Sequence, residues 1–127
     1  MPTSPRSGET ASAPFSPDAA AAQERPGIQT TLQAFASGYS TLDAAAVKRI
    51  YPGIDENGLK RRFSAYRSQQ VQVQVEQIQM TGPTTADVST LQMTTASMQV
   101  GGPQRDTRRI VFRLEKRNGS WIILEHR

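Results

Sequence analysis

The chain has 127 residues, 36% of them hydrophobic, with fifteen Lys and Arg against eleven Asp and Glu, one histidine and no cysteine. That length holds one domain and not two. The missing cysteines and the single histidine exclude a disulfide framework, a thiolate metal site, a cysteine nucleophile and a multi-histidine metal centre, and no cofactor or metal is expected.

Residues 1–27 hold five of the eight prolines and, apart from Phe15, almost no large apolar side chain. Such a segment cannot offset the entropy of ordering itself, so a disordered Pro/Ala/Ser-rich leader or linker is expected there. The domain proper is then residues 28–127. Arg6 and Arg25 against Glu9, Asp18 and Glu24 leave the leader at −1, so the body carries +5. The run Ala19 to Ala22 is too short for a secretory h-region, and no apolar stretch approaches the roughly 20 residues a bilayer requires. A cytoplasmic protein, or the soluble part of a larger tethered one, is the expectation.

The first periodic segment places Ile28, Leu32, Phe35, Tyr39 and Leu42 on one stripe of an amphipathic helix. Ser40 or Thr41 reads as the N-cap of a second helix over residues 43–50, which Tyr51-Pro52-Gly53 ends. Asp55 caps a third helix reaching Tyr66, with Leu59, Phe63 and Tyr66 inward and Lys60, Arg61, Arg62 and Arg67 outward.

From Gln70 the period changes from 3.6 to 2. Val71, Val73 and Val75 alternate with glutamines, and the apolar set resumes at Ile78 and Met80 one residue out of phase, which predicts a β-bulge at Glu76-Gln77. Gly82-Pro83 turns the chain into a second strand over residues 84–99. There Ala86 and Val88 change phase to Leu91 and Met93, a second predicted bulge or bend. A third strand over 108–116 carries Ile110, Phe112 and Leu114 on one face. Asn118-Gly119 is a strong hairpin signal, and Trp121 to His126 form the fourth strand. This is an α+β domain, helices packed on a bent antiparallel sheet of about four strands. Val111, Ile122 and Leu124 lie on the sheet's other face, too apolar for solvent, and a homodimer through that face is expected.

Candidate chemistry is sparse. Proton transfer needs a carboxylate or histidine in an apolar pocket, and the weak candidates are Asp87 and Glu76, facing each other across the first hairpin, and His126, at a fraying terminus. The basic residues form two clusters, Lys60 to Arg62 with Arg67 and Arg105, Arg108, Arg109 and Arg113. Single-stranded nucleic-acid recognition also needs interleaved aromatics, which these clusters lack, so nucleic acid is not expected as a partner. Phe35, Tyr39, Phe63, Tyr66, Met80 and Trp121 would surround a pocket between helices and sheet, suited to an apolar small molecule.

The first-helix pattern, the segment STLDAAAVKRIYPG at residues 40–53, the spacing of Tyr39, Asp43 and Pro52, and NGSWIIL at 118–124 resemble the nuclear transport factor 2-like superfamily, of the SnoaL-like and ketosteroid isomerase-like type. The resemblance implies a cone-shaped α+β fold, and in bacterial members a C-terminal position in a larger protein. Enzymes of the superfamily use acids and bases inside the cone, but none of the matching motifs here is catalytic. The β-hairpin many members insert between the second and third helices has no counterpart, which would thin one wall of the cavity. The sequence reading is therefore a non-catalytic interaction, dimerisation or small-molecule-sensing module. The alternatives are an isomerase, dehydratase or hydrolase using a carboxylate in the cone, and a binder of an anionic partner through the basic patches.

Overall fold

The computed structural model describes residues 16–127. Three helices, α1 (Pro17–Ser40), α2 (Ala44–Ile50) and α3 (Glu56–Phe63), precede four strands, β1 (Tyr66–Gly82), β2 (Thr85–Met98), β3 (Pro103–Arg117) and β4 (Ser120–His126). The strands form one antiparallel sheet in the order β1-β2-β3-β4.

Helix α1 begins well before Ile28, so residues 17–27 are helical rather than a disordered linker; residues 1–15 lie outside the described residues. The physical reason is a contact with the far end of the chain. Glu24 accepts hydrogen bonds from the Lys116 ammonium at 3.0 Å and from the Trp121 indole N–H at 3.1 Å. A Cβ on Gly27 would stand 3.1 Å from the Trp121 ring, so the backbone passes close over the indole. Ser16 caps the helix, Pro17 occupies its first position, and Pro26 is tolerated inside it. Ile28, Leu32 and Phe35 are buried on its inner stripe, as their spacing predicts.

Helix α2 is capped by Asp43, not by Ser40 or Thr41: the Asp43 carboxylate accepts from the Ala46 N–H at 3.1 Å. Thr41 instead closes α1, and Leu42 takes a left-handed conformation (φ 56°) so that the Asp43 N–H reaches back to the Gly38 carbonyl. Asp55 caps α3 through the Gly58 N–H. That helix stops at Phe63, and Tyr66 already belongs to β1.

The bulge in β1 is where the phase change put it. Val75 pairs with Thr90 and Gln77 with Ser89, leaving Glu76 out of register. Val71, Val73 and Val75 before it and Ile78 and Met80 after it therefore share the inner face. Strand β2 carries no bulge against β3; its register runs unbroken from Thr85 to Ser97. Ala86, Val88, Thr90, Gln92, Thr94 and Ala96 all point inward, and Leu91 and Met93 point outward. Asn118 (φ 51°) and Gly119 (φ 81°) make the tight β3–β4 turn.

The inner face divides in two along its rungs. Ala86 opposite Leu114, Val88 opposite Phe112 and Thr90 opposite Ile110 are buried with Ile28, Leu32, Phe35, Val47, Leu59 and Ile123 in one core. The next rungs are Gln92 opposite Arg108, Thr94 opposite Asp106 and Ala96 opposite Gln104. Polar residues replace apolar ones there because the helices no longer cover the sheet, and a cleft opens instead.

Candidate functional site

The cleft has a volume of about 670 Å³ and lies between the α1 and α3 helices and the far half of the sheet. Its helical wall carries Phe35 and Tyr39 from α1 with Leu59, Arg62 and Phe63 from α3; its sheet wall includes Gln69, Val71, Gln92, Thr94 and Ile110. Tyr39 packs against Phe35 with ring centroids 4.6 Å apart and meets Phe63 edge-on at 5.3 Å. Burial pushes the Tyr39 phenol up, and the nearby Arg62 guanidinium opposes that shift.

Phe35, Tyr39, Phe63 and Tyr66 thus line the cleft, as placed from sequence. Met80 and Trp121 do not. Met80 lies in the packed core at the opposite end of β1, and Trp121 is buried under the start of α1, where its own carbonyl also accepts from the Thr31 hydroxyl at 2.8 Å. Both are large and apolar, which sequence reading cannot separate from cleft lining without knowing where the helices stop.

The candidate acids part company with the cleft. Glu76 sits in the bulge and pairs with Arg109 at 3.3 Å; Asp87 pairs with Arg113 at 3.4 Å. Asp87 opposes Gln79, not Glu76, and both carboxylates lie on the outer face. These are cross-strand ion pairs at a partly exposed surface, the structural role such residues commonly fill. The cleft's carboxylate, among the described residues, is Asp106, which binds Arg108 at 2.6 Å near the mouth.

His126 behaves differently from the fraying side chain expected. Strand pairing continues past it: the Val111 N–H donates to the Arg127 carbonyl at 2.8 Å and the Arg127 N–H to the Val111 carbonyl at 3.0 Å. A register shift in β4 leaves Leu124 unpaired, so that Ile123 and His126 both face inward. The imidazole stacks on Phe112 at 5.8 Å and lies edge-on to Phe35 at 6.0 Å. Its Nδ1 is 3.0 Å from the Tyr51 hydroxyl. Burial lowers the His126 pKa and the Arg62 charge lowers it further, so the ring is neutral at pH 7. The sequence signal for this site was the one-residue phase slip between Ile123 and His126.

Beside the cleft, a smaller depression of about 320 Å³ is bounded by Ile54, Asp55 and Gly58. Tyr39, Leu59, Arg62 and His126 line both hollows. The short α2–α3 link leaves this side of His126 approachable, in keeping with the thin wall inferred from the missing hairpin.

The two basic clusters do not survive as separate patches. Arg62 and Arg108 face the cleft from its helical and sheet walls, while Arg105, opposite Thr95, falls in phase with Arg109 and Arg113 on the outer face. That outer face also presents Leu91, Met93, Val111, Ile122 and Leu124, of which Leu124 is exposed. Among the described residues no helix is long and apolar enough to cross a membrane.

No protein-family model matches the chain, and no curated protein matches it in sequence. Solved structures do. A nuclear transport factor 2-like superfamily protein from Salmonella enterica serovar Typhimurium superposes with a TM-score of 0.72 at 14% identity, covering 83% of this chain and 89% of its own. A ketosteroid isomerase-like protein from Erwinia carotovora atroseptica gives 0.64 at 18% identity, over 82% and 93% of the two chains. A hexachlorocyclohexane dehydrochlorinase gives 0.70 at 12% identity, over 86% of each. The chain has the nuclear transport factor 2-like fold.

Proposed function

We propose that this nuclear transport factor 2-like domain is a small-molecule-binding module whose ligand sits in the cone cleft. The observation that carries the reading is the concentration of aromatic surface, Phe35, Tyr39, Phe63 and Tyr66, on a hollow of about 670 Å³. That is within the size range of sites that take drug-sized ligands. The outer sheet face, with Val111, Ile122 and Leu124 between cross-strand ion pairs, supports a homodimer as the working assembly.

Native mass spectrometry of the protein purified from its own host tests both parts. The expected spectrum is a dimer carrying a reproducible extra mass, and Phe63→Ala should release that mass. A bare species that acquires no ligand from a metabolite extract would overturn the module, and a monomer would overturn the assembly.

A second reading is favoured by the Tyr51–His126 pair and by fold neighbours that include a dehydrochlorinase and an isomerase-like protein. In it, His126 is a general base that takes a proton from an acidic carbon of the bound molecule, with Arg62 beside the developing anion. Only the neutral ring accepts a proton. Because the folded pKa lies below the ordinary 6.5, the rate should rise with pH, level off early and stay flat through neutrality. His126→Gln, which keeps a hydrogen-bonding side chain, should lower turnover of a carbonyl substrate by about 100-fold or more. Turnover unchanged in that variant would remove the base.

A further inference from the structure

We infer that the free edge of β1, beside α1, takes up an extended peptide segment of a partner protein as a fifth strand. The backbones of Val73 and Val75 pair with it, its inward side chains are apolar, and an acidic residue at its start meets Arg25. The site is separate from the cleft, and the inference stands without the small-molecule reading.

The first support is a contrast between the two edges of the sheet. Strand β4 is covered along its outer side. The Trp121 carbonyl accepts from the Thr31 hydroxyl, the Tyr51 hydroxyl stands 3.0 Å from His126 Nδ1, and a Cβ on Gly53 would lie 3.9 Å from the Leu124 carbonyl. Strand β1 is covered at Val71, whose N–H donates to the Ser40 hydroxyl at 2.9 Å and whose carbonyl accepts from it at 3.4 Å. The Val71 backbone therefore points away from β2, and by the two-residue period of a strand so do Val73 and Val75. Neither has a hydrogen bond on that side among the described residues. Such a row of unpaired N–H and C=O groups is a template for another strand, and edges are usually blunted by a charge, a proline or a bulge. Here Arg67 and the bulged Glu76 bracket eight residues, Ser68 to Val75, that hold no charge, proline or glycine.

The second support is a groove of about 530 Å³ beside this edge. Arg25, Gln29, Leu32 and Gln33 recur at helical spacing along its α1 wall, and Val73 and Val75 line it from β1. Both valines are half-buried although they lie in phase with the buried Val71, so α1 leaves them partly uncovered. Ser40 meets Val71 and Tyr39 meets Gln69, so α1 runs antiparallel to β1 and Arg25 stands at the Val75 end. Arg25 is exposed, and none of the ion pairs among the described residues includes it. A strand laid antiparallel to β1 starts beside Arg25, which selects an acid there, and ends at the Ser40 cap. Its inward side chains meet Leu32, Val73 and Val75, which selects apolar residues at alternate positions. A second copy would present the same uncharged window and no acid to Arg25.

NMR titration of the whole chain with a capped six-residue peptide, glutamate first and then threonine and valine in alternation, tests this. Directly opposed residues share a face, so the two peptide valines exchange backbone hydrogen bonds with Val75 and Val73. Hydrogen exchange at the Val73 and Val75 amides is expected to slow by about 10-fold or more at saturating peptide. N-methylating the peptide valines should abolish binding, whereas N-methylating the threonines, whose N–H groups face solvent, should leave it intact. Arg25→Glu should weaken binding about 2- to 5-fold, and a peptide beginning with lysine should recover the loss. Affinity unchanged in Arg25→Glu would overturn the acidic residue. Binding that survives methylation of the valines, or no binding at all, would overturn strand addition. Val73 and Val75 amides already slow in dilute, peptide-free protein would put residues 1–15 of the chain itself on the edge. Slowing that grows with protein concentration would put a second copy there. Either result would overturn the assignment to a separate partner.

Discussion

Phe112→Ala is expected to destabilise the protein by about 3–5 kcal/mol, lowering its melting temperature by more than about 10 °C. Phe112 is fully buried at the centre of the sheet and touches the two features on which the domain depends. Its ring meets Phe35 of α1 edge-on at 5.1 Å, joining helix to sheet. On its other side it stacks with His126 at an interplanar angle of 26°. Truncation leaves a cavity that the neighbouring strands cannot collapse into, because β3 is paired on both sides. Water reaching the space would also relieve the burial that holds the His126 pKa down. In a variant that still folds, NMR titration should therefore show that pKa moving up towards 6.5. A loss below about 1 kcal/mol would mean that the helix layer contributes little to stability. Denaturant unfolding followed by circular dichroism measures it directly.

Trp121→Ala should cost a similar amount, but its distinctive effect is local. The indole is buried beneath the first half of α1 and donates to Glu24, which also holds Lys116. Residues 17–27 bring Ala20 and Ala21 to the core but no large apolar side chain, so the Trp121 ring and the Glu24 hydrogen bonds hold them down. Hydrogen exchange should show protection lost across residues 17–27 and kept across 28–40, where Ile28, Leu32 and Phe35 anchor the helix independently. Trp121→Phe removes the hydrogen bond and keeps most of the ring. Its cost should be about 1–2 kcal/mol and should depend on pH. Hydrogen bonds from Lys116 and then Trp121 hold the Glu24 pKa below 4.5. A carboxylate with a lowered folded pKa contributes stability above its unfolded value and loses it as pH falls through the folded one. The difference between Trp121→Phe and the parent should accordingly be full at neutral pH and fade below about pH 4. Uniform exchange along the whole of α1 in Trp121→Ala would show that the first half does not depend on the indole.

What was legible in the sequence, and what was not, follows from how far each feature's cause lies along the chain. The Glu76 bulge, the Asp55 cap and the Asn118-Gly119 turn are set by neighbours within a few positions, and each is found where local chemistry puts it. Local pattern starts helix α1 near Ile28, because what holds its first half, Lys116 and Trp121, lies more than 90 residues away. The phase change from Val88 to Leu91 predicts a bulge or bend in β2 only if apolar residues mark the inner face along the whole strand, and the register to β3 runs unbroken. Past Thr90 they mark the outer one, since the inner face there lines the cleft with Gln92 and Thr94. A run of misplaced polar residues on one strand is thus itself a sign of a hollow. For His126, likewise, nearness to the end of the chain counts for less than the backbone pairing of Arg127 with Val111.

The division of the sheet's inner face has a consequence for how such a domain changes over time. The apolar rungs that hold the fold and the polar rungs that meet a ligand occupy successive stretches of the same strands, and Ile110 sits at the boundary as part of both. Substitutions at Gln92, Thr94, Gln104 or Arg108 alter cleft chemistry while leaving Val88, Phe112 and Leu114 packed. Enzymes and receptors commonly lose stability as they acquire new specificity. Here the polar sheet positions of the cleft lie apart from the core rungs, so ligand preference can drift at those positions at little cost to folding.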